Sequence, residues 1–136
     1  MRHRRKTKRI GRSPAHRDAA IAAIVCGLVK SGRVSTTLVK AKMAKVLADK
    51  MVTRAKKGTL ASRRQALSSL RRREIVADLF DRVAPGFADR NGGYTRVLRV
   101  GERRGDGAQT AILEWVNAPA PVQRKKKDKS SGAGVK

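Results

Sequence analysis

The chain has 136 residues, with 34 Lys or Arg against ten Asp or Glu, a formal charge of +24 and a pI near 11.8. That length allows one modest domain plus tails, and a field of this sign favours a polyanionic partner. Lone Cys26 excludes an intramolecular disulfide or a multi-cysteine zinc site and fits a reducing compartment.

Residues 1–12 form a basic arm. The first seventeen residues hold Arg2, Arg4, Arg5, Lys6, Lys8, Arg9, Arg12 and Arg17, with His3 and His16, and the first carboxylate is Asp18. Such neighbours lie within the roughly 8 Å screening length of physiological salt, so the segment repels itself until phosphates neutralise it. Residues 18–116 keep 20 Lys and Arg against nine acids, so the folded part is basic as well. Hydrophobic residues make up 40%, but many are alanine, and the aromatics are Phe80, Phe87, Tyr94 and Trp115. A thin core of marginal stability follows.

The first helix starts at Ser13 as N-cap and Pro14 as first residue, with Asp18 toward the positive end of the dipole. Ile21, Ile24, Val25 and Leu28 recur at helical spacing, and Ser31-Gly32 ends the helix. The apolar run Ala19–Val29 is too short to span a bilayer and too one-sided for a signal-peptide centre. Arg33–Thr37 is a β-branched strand, with Thr37 a cap for the helix Leu38–Lys57.

That second helix has an apolar face of Ala44, Leu47, Ala48, Met51, Val52 and Ala55, and its remainder is basic, including Lys40 and Lys42. Gly58 stops it and Thr59 caps a third helix, Leu60–Leu70, with Leu60, Leu67 and Leu70 inward and Arg63 and Arg64 outward. Arg71-Arg72-Arg73 leads to a fourth helix carrying Ile75, Val76, Leu79, Phe80 and Val83, ended by Pro85-Gly86. After Asn91-Gly92-Gly93 the period changes, and Tyr94–Val100 and Thr110–Val116 read as an imperfectly alternating hairpin with Leu98 and Val100 inward together with Ala111, Leu113 and Trp115 or their neighbours. The fold class is therefore α+β: about four helices on a small three-stranded sheet, in a globular domain of residues 13–117. Residues 118–136 are a low-complexity basic tail, expected to be disordered when free.

A hydrolase or transferase needs a nucleophile and a base in reach of each other. Here both histidines sit in or beside the arm, the acids are scattered, and Cys26 lies among alanines as a small buried thiol. Gly101–Gly107 joins strand to strand and lacks the Lys-Ser/Thr ending of a nucleotide loop. No catalysis, metal, cofactor or small-molecule substrate is expected. A nucleic-acid partner is: the arm can follow grooves, basic helix faces give a platform, and arginine donates bidentately to phosphates. His3 and His16 can stack on bases or be ordinary exposed histidines. Gly92-Gly93 permits close approach to a phosphate, and an exposed Tyr94, before Thr95-Arg96, could stack on an unpaired base; a tyrosine at a strand start can equally belong to the core.

Several separated segments resemble one family, the bacterial-type large-subunit ribosomal protein seventeen. They are the MRHR at residues 1–4, Thr36-Thr37-Leu38 with Lys40-Ala41-Lys42, the EIVADLF of residues 74–80, the GGYTR of residues 92–96 and the RRGDGA of residues 103–108. The resemblance covers about residues 1–117. It implies an α+β protein bound to large-subunit rRNA, with its arm inserted among RNA helices near the polypeptide exit, close to ribosomal proteins twenty-two and thirty-two. It also implies contacts from Arg2, His3 and Arg4, from Thr36 and Thr37, and from Gly92, Gly93, Tyr94, Thr95 and Arg96. Because the chain starts directly on the arm with no transit segment, a cytoplasmic place in the bacterial ribosome is expected. The competing reading, an architectural DNA-binding protein, requires a dimerising surface and an apolar wedge, and neither is legible in the chain.

Overall fold

The computed structural model describes residues 10, 11 and 13–117. Arg2, His3, Arg4, Arg5, Lys6, Lys8, Arg9 and Arg12 of the basic arm, and the tail of residues 118–136, lie outside the described residues.

Helix α1 spans Pro14–Ser31 and strand β1 spans Arg33–Thr37. Helices α2 (Leu38–Lys57), α3 (Leu60–Leu70) and α4 (Arg73–Asp78) follow, then strands β2 (Thr95–Glu102) and β3 (Gln109–Trp115). The sheet order is β1-β3-β2, antiparallel throughout, so the last strand is central and the first is one edge. The α+β class read from the sequence is the observed one. No helix among the described residues is long and apolar enough to cross a membrane.

Local chemistry sets the helix ends. Ser13 Oγ accepts the His16 N–H at 3.2 Å, and Pro14 fills the first turn, where its missing N–H costs nothing. Gly32 (φ 77°) closes α1 in the left-handed region, donating its N–H to Leu28 O at 2.9 Å. Thr59 Oγ1 accepts the Ser62 N–H. Thr37 occupies the cap position of α2, but its side chain makes no capping bond. Asp18 lies one residue beyond the first turn of α1, past the strongest part of the dipole.

The core runs along α2, whose Ala41, Ala44, Ala48 and Ala55 let neighbouring elements approach closely. Against it pack Val25, Leu28 and Val29 of α1, Ile75 and Leu79, and Leu113 and Trp115 of the sheet. Phe87 joins the two sides: its ring lies 5.3 Å from Tyr94, edge-on, and 5.8 Å from Trp115. Trp115 Nε1 donates to Leu28 O at 3.1 Å, so the indole is both packed and satisfied.

The structure also corrects sequence expectations about α3, the end of the fourth helix and the face of β2. Leu60 is 65% exposed, because the buried phase of α3 is Ser62, Ala66 and Leu70, with Leu67 half-buried. The fourth helix runs through Val83 as expected, but from Leu79 to Val83 it is a π turn, and a 3-10 turn, Ala84–Phe87, carries it past Pro85. Pro85 opens that last turn instead of ending the helix, since its fixed φ suits a first turn. Leu98 (43% exposed) and Val100 (61%) face outward. Tyr94 and Thr95 are both buried at the start of β2, which sets Val97 inward, and a bulge between Arg99 and Gly101 then disrupts alternation.

Candidate nucleic-acid interface

In an acid-poor chain the first question is which cations are already neutralised. Three ion pairs join described residues: Arg63–Asp81, Arg96–Glu114 and Arg103–Asp106. Arg63 is also over the Phe80 ring, 4.6 Å from its centroid, so it shields core as well as carrying charge. Arg64 beside it is exposed and forms no ion pair with a described acid.

The longest basic platform is the solvent ridge of α2. Lys42, Lys50 and Lys57 are exposed, eight and seven residues apart, which places them at about 12 Å and 10 Å intervals along one side. Thr53 and exposed Val46 lie between them. Lys40 is half-buried, and Lys56 is turned inward, donating to Arg90 O at 2.6 Å with its ammonium 5.7 Å from the Tyr94 ring centroid. The α2 sequence marks its basic face but not which lysines the fold consumes. Lys50 and Lys57 emerge as interface candidates only once the ridge is seen.

The root of the arm is tied to α1. Arg17 Nε donates to Ile10 O at 3.1 Å. Gly11 (φ 74°) lies so close to His16 that a Cβ there would be 2.5 Å from Nδ1. His16 and Arg17 thus orient the chain where it enters α1, a role that their charge alone does not disclose. Thr36 and Thr37 are half-buried at the end of β1, leading directly into the lysines of α2.

The GGYTR segment divides in two. Gly92 and Gly93 are exposed, with open space where side chains would be, and Gly93 has φ 61°. Gly92 O accepts from Arg90 Nε at 3.2 Å. Tyr94, however, is 3% exposed and its ring belongs to the Phe87 cluster, so the expected exposed stacking tyrosine is corrected. Thr95 is buried too; its Oγ1 donates to Asp49 Oδ1 at 2.9 Å, tying β2 to α2. Arg96 emerges on the outer sheet face, paired with Glu114.

At the hairpin tip, Arg103 grips Asp106 with Nε (3.0 Å) and Nη2, and Ala108 N–H adds a bond at 3.2 Å. The Arg103 hydrogen bond, then the Ala108 amide, lowers the Asp106 carboxyl to about 2. Arg104 is left exposed. Cys26 is buried, with Sγ 3.7 Å from Leu70 O; burial raises its pKa, against the pull of Arg72 and Lys30. That is opposite to the lowered pKa of a reactive thiol. No group of three or more His, Cys, Asp or Glu among the described residues could hold a metal ion.

Comparisons with known proteins converge on one family. A family model described as ribosomal protein L17 matches residues 20–116. The large ribosomal subunit protein bL17 of Acidobacterium capsulatum is 44% identical over 130 residues, 96% of this chain and 81% of that protein. The bL17 of Thermodesulfovibrio yellowstonii is 47% identical over 128 residues, 94% and 96% of the two chains. That of Clostridium tetani is 50% identical over 109 residues, 80% and 96%.

Proposed function

Because the chain belongs to the ribosomal protein L17 family, we propose that it is a non-catalytic structural constituent of the large ribosomal subunit, bound to large-subunit rRNA in the bacterial cytoplasm. The observation that carries this reading is the α2 ridge, where Lys42, Lys50 and Lys57 stand exposed with no acidic partner among the described residues. Phosphate contacts from this ridge, from Arg64 and near Gly92-Gly93 dock the domain by shape and charge. They carry no sequence information themselves but fix register on the RNA. The arm, residues 1–12, then enters an RNA crevice in the direction that Arg17 and His16 impose on its root. Its cations replace condensed counterions, whose release supplies much of the affinity. Ribosomal proteins twenty-two and thirty-two are the proposed protein neighbours.

Sedimentation tests the reading. At moderate salt the protein runs with large subunits in a sucrose gradient; a protein found with the nucleoid, or floating free, would falsify it. Deleting residues 2–12 leaves helical content intact and weakens rRNA binding. The log–log salt slope falls by about 0.7–0.9 for each phosphate that the shortened chain no longer neutralises. An unchanged slope means that the arm does not touch RNA.

A further inference from the structure

A second basic surface lies at the far end of α1 from the arm. Lys30, in the last turn of α1, is about 24 Å along the helix from Pro14. Arg71 and Arg72 form the short turn between α3 and α4, and Arg72 with Arg73, the first residue of α4, lies beside Lys30. Lys30, Arg72 and Arg73 line one depression of about 300 Å³ with Glu74 and Ile75. All four cations are exposed, and none forms an ion pair with a described acid. Arg71 is also the one described non-glycine residue with positive φ (57°). That conformation is strained for an L-residue, whose Cβ crowds the following carbonyl oxygen. A long cationic side chain stands where glycine would be easier.

Arg72 and Arg71 also rim a larger cavity, of about 460 Å³, between α1, α2 and α3. Its walls are apolar, from Ala22 and Cys26 on α1, Met43 and Leu47 on α2, and Leu70. Asp18 stands at its α1 side and Ser68 at its α3 side. Asp18 is exposed and pairs with no described cation, despite the excess of positive charge around it. An apolar chamber with one carboxylate and a cationic rim suits an amphiphile with a flat apolar body, N–H donors at its edge and an attached anion. An unstacked nucleotide has these properties.

We propose that this cavity receives a single unpaired base of RNA, and that Lys30, Arg71, Arg72 and Arg73 hold the phosphates on either side of it. Resting on the rRNA-binding reading above, this adds a second, sequence-selective contact, with the base read at Asp18 in the N-terminal half of α1 and the phosphates held toward the helix's other end. The base favoured is guanine. Its Watson–Crick edge presents two adjacent N–H donors that one carboxylate can accept together, whereas uracil has a single N–H there.

The test uses the full chain with ¹³C-labelled methionine methyls and three RNA hairpins: fully paired, with a single-guanine bulge, and with a single-uracil bulge. Met43 lines the cavity and Met51 is fully buried in the core. The guanine-bulged hairpin moves the Met43 methyl upfield and leaves Met51 in place. Uracil moves it less, and Asp18→Asn removes the difference. An unmoved Met43 overturns base insertion and leaves the cavity to a protein side chain. A Met43 shift caused by deleting residues 2–9 without RNA assigns it to the arm and overturns the proposal equally.

The phosphate contacts are read from binding to protein-free large-subunit rRNA by Arg71→Gly/Arg72→Gln/Arg73→Gln. Glycine is at ease at φ 57°, so this variant keeps the turn. Its salt slope falls by about 2, at 0.7 per single-strand phosphate. A wild-type chain that binds with a slope equal to the variant's overturns the cluster while the rRNA reading stands. A wild-type chain that binds no rRNA overturns both.

Discussion

Replacing Tyr94 separates a core residue from an RNA-stacking one. The ring is 3% exposed, meets Phe87 edge-on at 5.3 Å and has the Lys56 ammonium 5.7 Å from its centroid. Tyr94→Ala removes the ring from both neighbours and leaves a cavity beside Phe87, so the cost is that of a large aromatic truncation, about 3–5 kcal/mol. Of this, about 0.5–1.5 kcal/mol belongs to the aromatic pair itself. For a domain this small each kcal/mol moves Tm by about 4–8 °C, so the variant melts at least about 12 °C lower. Tyr94→Phe keeps the ring and changes stability by less than about 1 kcal/mol. The assay is urea denaturation followed by fluorescence of Trp115, the only tryptophan and a direct neighbour of the cluster. The salt slope of rRNA binding is measured alongside. A Tyr94→Ala protein as stable as the parent, with a large loss of RNA affinity, would refute the placement of this ring in the core.

Other perturbations follow from single interactions. Thr95→Val deletes the hydroxyl that donates to Asp49 and costs about 1.5–3 kcal/mol in denaturation, because the acceptor is a carboxylate; Thr95→Ser recovers most of it. Gly32→Ala places a methyl group in open space, so backbone strain at φ 77° is the whole cost, about 1–2 kcal/mol by denaturation. The Asp106 carboxyl has its folded pKa lowered from 3.8 to about 2, so its contribution is complete above 3.8 and is lost as pH falls through about 2. A carboxyl ¹³C titration of Asp106 therefore has its midpoint near 2, and a midpoint at 3.8 would mean that the Arg103 fork is open in solution.

Local signals made much of the fold legible. Ser13-Pro14, Gly32, Gly58 and Thr59 each act within four residues, and the ends they mark are the ends observed. What escaped depends on distant partners. The phase of α3 is set by what lies against Ser62 and Ala66, so counting leucines placed Leu60 inside. The phase of β2 follows from Thr95 reaching Asp49, 46 residues away. For the interface, the sequence discloses charge but not neutralisation. Arg96 and Arg64 look alike until Glu114 is found beside one of them. The same distinction picks out Lys50 and Lys57, whose neighbour Lys56 is occupied by the Arg90 carbonyl.

The sheet order has a consequence for the chain before it meets RNA. With β3 in the middle, β1 and β2 each leave one row of backbone N–H and C=O groups without a strand partner, an invitation to polymerise with other copies. Along β2 the bulge at Val100 breaks the regular ladder, and exposed Arg99 adds positive charge. A second copy approaching there would meet a kinked strand and its own sign of charge. The excess that draws the protein to a polyanion thus also keeps it from its own kind, holding the unassembled chain in solution while its RNA is still unavailable to it.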